Sequence, residues 1–198
     1  MTLPPLPPTP AGVNWRPGGR SVVDVLAGEH AVIAGLCARL ADPAITPHRR
    51  REIRDVLAAT VSRHLSAEEQ YLYPVIRRMR GPGTVDREIA AARALRRALR
   101  RPGSDVARGL REHAASVEGM LAALAAATPP DELIRLGNRV EIAEEAAPTR
   151  PHPKAPATPP WNKIADPALG VLDRLRDAFT GRRTRATDLD ARREDRLF

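Results

Sequence analysis

His64 and Glu68 stand four residues apart in the stretch Arg63-His64-Leu65-Ser66-Ala67-Glu68-Glu69-Gln70-Tyr71-Leu72-Tyr73-Pro74, within a segment whose apolar residues recur at helical spacing. On a helix, that interval projects an imidazole and a carboxylate from one face, about one turn apart. A nitrogen and an oxygen donor side by side form a chelating pair suited to a divalent transition metal such as iron, manganese or zinc. Such a pair alone is equally what a solvated polar face presents. Its weight comes from His30 and His113, which fall inside two other helical segments.

Those segments are read from periodicity and punctuation. Ser21-Val22-Val23-Asp24 resembles a capping box and opens a first helix through Leu26, Ile33, Leu36 and Leu40, ending near Asp42-Pro43. Thr46-Pro47 starts a second, carried by Ile53, Leu57, Val61, Leu65 and Leu72, which Pro74 kinks or terminates. Gly81-Pro82-Gly83 breaks the chain. A third helix spans about 84–101, and a fourth, capped by Ser104-Asp105, runs to Thr128-Pro129-Pro130. The fold class predicted is all-α: an antiparallel four-helix bundle over residues 21–127, joined by short connections. Around it lie a Pro/Gly-rich disordered leader (1–20), an additional helix (128–147) and a Pro-rich strap (148–166). An amphipathic helix (167–180) and a charged tail (181–198) complete the chain. The amphipathic helix carries Leu169, Leu172, Leu175 and Phe179 on one side. It either docks that stripe on the bundle, the preferred reading, or lies on a membrane surface.

Bulk properties restrict the function classes. No run of about 18 apolar residues exists to span a membrane, and no secretory signal is visible. A single cysteine excludes an internal disulfide framework and fits a reducing, cytoplasmic setting. The net charge of +8 invites a nucleic-acid reading, but the arginines are spread over helical faces and gather mainly in the tail. No specific nucleic-acid partner is expected, and tail-mediated binding would be steeply salt-dependent.

When His64 and His113 are superposed, Glu69 falls on Glu118 and Leu72 on Leu121, as if two helices were degenerate copies of one ligating unit. With Asp24-Val25-Leu26-Ala27-Gly28-Glu29-His30 and the His64 to Pro74 stretch, the chain resembles the hemerythrin, or HHE cation-binding, family over roughly residues 21–127. The Pro-rich segments at 147–153 and 159–163 are similar to extensions on actinobacterial members. The resemblance implies a four-helix bundle holding non-haem iron. It also implies activities such as dioxygen binding, oxygen or redox sensing, iron handling, and peroxide or nitric-oxide chemistry. Carried over by position, His30, His64, Glu68 and His113 match the family's metal ligands. Ala91-Ala92 stands where similar members have Glu-His, and Val117 stands at the position four after His113. Glu118, one residue further, is the substitute ligand. The complete pattern uses about five imidazoles for two irons; three remain here, enough for one ion. The cofactor expected is therefore iron, as one or two ions, in a weak or mononuclear site.

Blander roles are open for each residue. Cys37 shares the His30 face and reads as a small buried thiol. Tyr71 and Tyr73 cover a bundle end, and His48 and His152 are structural. Glu141, Glu144 and Glu145 form a solvated face unless 131–147 is itself the fourth bundle helix, which would make Glu141 and Glu145 ligands. The competing function is a metal-free bundle serving as an interaction module. If iron is bound, weak peroxidase- or catalase-like turnover is conceivable, but enzymatic function is not the expectation.

Overall fold

The computed structural model describes residues 17–101, 106–158 and 160–189. Helix α1, Val22–Ala41, starts where Ser21 Oγ accepts from the Asp24 backbone N–H and donates to the Asp24 carboxylate. Helix α2, Pro47–Ala67, starts at Thr46, whose hydroxyl accepts from Arg49 N. Both caps satisfy a first-turn N–H that would otherwise lack a partner. Pro74 neither stops the second helix nor leaves it regular. A π turn, Glu68–Leu72, widens the spiral just ahead of it, and α3, Tyr73–Arg80, continues to Gly81. Gly81 takes φ 82°, a left-handed conformation that only glycine adopts cheaply. Helices α4, Pro82–Leu99, and α5, Ala107–Ala127, follow. The Ser104-Asp105 cap falls outside the described residues.

Helix α1 packs on α2 and α5, and α4 packs on α3, α5 and α2, closing the bundle. Leu26, Ile53, Leu57, Leu65, Leu72 and Leu121 are fully buried between these helices, each contributing about 1.5–3 kcal/mol through apolar burial. Ala59, Ala67 and Ala92 are fully buried as well, so small side chains bring the backbones close in a chain poor in aromatics. Among the described residues there is no strand.

A fifth long helix, α6, Pro130–Ala146, lies across α1 and α2. A side chain at Gly137 would come within 2.2 Å of Arg20 O, so glycine permits this approach. The same contact fixes residues 17–20, expected to be disordered. Pro17 is buried, Asn138 donates to Gly18 O, and Arg20 pairs with Glu141 at 2.7 Å. Residues 1–16 lie outside the described residues.

Helix α7 departs most from expectation. It spans Trp161–Thr180, beginning six residues early with Pro167 inside it. Its first turns are held by Lys163 Nζ, 4.5 Å above the Tyr71 ring, and by Asp166, which accepts from Ser66 and Gln70. It also turns the opposite face inward. Asn162, Asp166, Gly170, Asp173 and Asp177 are buried, whereas Leu172, Leu175 and Phe179 face solvent. The polar network won because the strap supplies partners. Asp173 accepts from Arg150 N and faces His152 at 2.9 Å, and Asp177 accepts from Thr149 and Arg182.

One buried ion pair joins the π turn to α4. Arg96 Nη1 and Nη2 donate to the two Glu69 oxygens at 2.6 and 3.0 Å, and both residues are almost wholly buried. Removing one partner from such a pair strands a charge in the core. Arg96→Met is expected to lose about 3–5 kcal/mol of unfolding free energy in a denaturant titration, and Arg96→Met with Glu69→Gln to regain much of it.

Candidate metal centre

Each bundle element delivers its donor by a local rule. His30 lies on α1 one turn before the core positions Ile33 and Leu36, so it shares their inward face. His64 is fully buried in the last turn of α2. His113 is inward on α5, as are Leu110 and Val117 on either side of it. Glu68 opens the π turn, with no exposed surface at all.

These four side chains converge. His30 Nε2 and His113 Nε2 lie 3.1 and 3.3 Å from His64 Nε2. Glu68 Oε1 is 3.3 Å from His64 Nε2, and Glu68 Oε2 is 3.2 Å from His113 Nε2. One donor atom from each of the four lies within 4.8 Å of every other. Two donors each about 2.1 Å from a common ion are separated by about 3.0 Å at right angles and about 3.4 Å at the tetrahedral angle. The observed spacings fall in that interval. Glu68 Oε1, which faces the three Nε2 atoms, is buried without a hydrogen-bond partner, so the protein leaves acceptor capacity unused at this point. The residues present fit a cation.

Electrostatics agree. Burial would raise the Glu68 pKa, but the imidazoles of His113, His64 and His30 outweigh it and hold the carboxyl at about 2. Burial, assisted by His64 and His113, lowers the His30 imidazole to about 4. At neutral pH, Glu68 is therefore an anion and the His30 imidazole is neutral, the forms in which such groups can bind a metal.

The supporting groups are residues to which the sequence assigns no part in the site. His64 Nδ1 lies 2.7 Å from Glu29 Oε2, which places the proton on Nδ1 and the lone pair of Nε2 toward the cluster. Tyr73 donates its hydroxyl to Glu68 Oε2 at 3.0 Å. The π turn makes this possible, because the Tyr73 N–H bonds to Glu68 O and stacks residue 73 over residue 68. Tyr73 is thus part of the cluster and not a cover for the bundle end. Glu88 of α4 lies 3.9 Å from His113 Nδ1 and accepts from Ser116 at 2.6 Å. Glu144 of α6, expected on a solvated face, is hydrogen-bonded to Glu29. Its carboxyl is pushed up to about 9, first by burial and then by Glu29. The pair shares a proton at neutral pH.

Glu118 is not brought to the cluster. Five residues beyond His113 is about 140° round a regular α-helix, and Glu118 is exposed. Val117 and Ala92 are buried in the apolar core. Glu141 pairs with Arg20 and Glu145 is exposed, so neither approaches the histidines. His48 is exposed beside Glu52. Cys37 is half-buried, lining a cavity of about 250 Å³ between α1 and α5 whose wall also includes Ala34, Ala38, Leu110, His30 and His113. The candidate centre therefore adjoins a small, mainly apolar chamber.

A family model described as the hemerythrin HHE cation-binding domain matches residues 21–129. No curated protein and no solved structure matches the chain.

The buried Glu29–Glu144 pair has a signed consequence. Because the folded Glu144 keeps its proton up to about 9 while the unfolded group loses it near 4.5, the stability it contributes is complete below 4.5. It is lost as pH rises from there through about 9. Glu144→Gln is expected to flatten the decline of unfolding free energy between pH 5 and 9, by up to about 1.4 kcal/mol per pH unit. Denaturant titrations of both proteins across that range measure the difference.

Proposed function

The chain belongs to the hemerythrin HHE cation-binding family, and on that premise we propose that it holds one non-haem iron ion through His30, His64, Glu68 and His113 and serves in sensing or handling dioxygen or a related small oxidant. The observation that carries this reading is the convergence of three Nε2 atoms and one buried carboxylate at the separations of ligands on a common ion. Mixed imidazole and carboxylate donors without thiolate suit iron(II), and two histidines with a carboxylate already make a recognised open iron site. When bound, iron supplies a redox-active centre with room for a small ligand.

The chain's own residues fit that task. Glu29 fixes the tautomer and orientation of His64, and Tyr73 orients Glu68. The cavity lined by Ala34, Ala38 and Leu110 reaches His30 and His113 and favours a diatomic or peroxide-sized visitor over a large polar substrate. The one-ion reading is supported by α4, which offers Ala92 and the Glu69-bound Arg96 where the family's second ion would draw donors, although Glu29 and Glu144 with His64 form a second group able to hold a cation. Cytoplasmic residence belongs to the same reading. Among the described residues, no helix is long and apolar enough to cross a membrane.

Protein purified from iron-supplemented cells is expected to carry about one iron per chain, and His64→Ala below about 0.1. Iron(II) at a hundredfold its Kd should stabilise the native chain by about 2.7 kcal/mol, and should leave the His64→Ala variant unchanged. Tyr73→Phe should keep the metal with affinity about 10–100-fold weaker. Iron-free native protein whose melting no divalent metal alters would overturn the proposal in favour of a metal-free scaffold, and two irons per chain would overturn the mononuclear assignment.

A further inference from the structure

Helix α7 is mounted with its apolar face outward. Trp161, Ile164, Val171, Leu172, Leu175 and Phe179 are all more than half exposed, Phe179 at 90%. On a wheel of about 100° per residue they form one stripe, and the buried Asn162, Asp166, Gly170, Asp173 and Asp177 lie roughly opposite it. The inversion is built in. A Cβ at Gly170 would come within 2.2 Å of Ala146 O, so the helix backbone sits directly on the end of α6. The aspartates are tied to Ser66, Gln70, His152, Thr149 and Arg150. An ordinary surface helix does the reverse, and a contiguous exposed apolar stripe marks a surface that meets something.

Charge identifies the occupant. Every acid of α7 is turned inward, so the helix presents no acid of its own around the stripe. The exposed Arg174 and Arg176 flank the stripe on either side, where long basic side chains extend from an apolar face to polar headgroups, while Lys163 is held over the Tyr71 ring and Arg174 also donates to Glu145 O. A second copy laid on the same stripe would oppose the same two arginines, with no acid of α7 to meet them. A helix about 30 Å long and 10 Å wide also offers about 300 Å², below the roughly 800 Å² per partner of a stable interface. Residues 1–16 contain no acid either. We propose that the outer face of α7 binds the surface of an anionic phospholipid bilayer, lying in its plane with the Trp161 to Phe179 stripe in the acyl boundary and Arg174 and Arg176 at the headgroups.

The full-length chain carrying Trp15→Phe, which leaves Trp161 as the sole tryptophan, is floated with vesicles of phosphatidylcholine alone or mixed with phosphatidylglycerol. Expected are flotation with the mixed vesicles, a blue shift of Trp161 emission, and loss of both in Leu172→Glu/Leu175→Glu with helical circular dichroism unchanged. Arg174→Gln/Arg176→Gln should lower the partition coefficient by roughly 25-fold, about fivefold per arginine. The proposal is overturned if the protein stays in the soluble fraction with both vesicle types, or if the double glutamate variant floats equally well. It is also overturned if light scattering without vesicles reveals a dimer that this variant dissociates.

Discussion

A carboxylate with no exposed surface must be neutralised where it stands, and Glu68 is such a group. Its surroundings are built to keep it charged: three imidazoles gather round it, and one hydroxyl points at it. An anion in a dry core costs several kcal/mol unless a cation or donors compensate it. Three imidazoles aiming Nε2 at one point crowd their nitrogens together unless protons or a metal intervene. Each half of the cluster is thus unfavourable alone, and a divalent ion relieves both. The bundle packing, the π turn and the outer carboxylates all serve to hold that arrangement.

The π turn shows how local sequence becomes site geometry. Pro74 lacks the N–H that a regular helix would send to Gln70 O, and the chain widens its spiral over Glu68–Leu72 instead of stopping. That shift keeps Glu68 and Glu69 both inward, one for the histidines and the other for Arg96. It also stacks Tyr73 on Glu68. A straight α-helix would rotate Tyr73 about 140° away. On the α4 side the cluster is bounded by a guanidinium locked to Glu69 and by the methyl group of Ala92.

Much of the fold was legible in the sequence because its signals are short-range. Ser21, Thr46 and Gly81 mark helix ends, and the periodic leucines mark inward faces. That His30, His64, Glu68 and His113 face a common interior is legible for the same reason, since helical spacing fixes which side chains share a face. What escaped depends on non-local or irregular geometry. Tyr73 needs a π register, for which Pro74 was the available hint. Glu29 and Glu144 meet only because α6 lies over α1, a packing that Gly137 permits but does not announce. Spacing alone makes Glu118 a candidate ligand, yet α5 has no π turn to bring a fifth residue round. The inverted α7 was illegible from its own pattern, because the partners of its aspartates sit in the strap and on α2 and the π turn.

The most direct test of the central claim is anomalous diffraction at the iron edge from crystals soaked in iron(II). The account predicts a single peak about 2.0–2.2 Å from Nε2 of His30, His64 and His113 and from a Glu68 oxygen. A peak between Glu29 and Glu144, or none within reach of the three imidazoles, would contradict it.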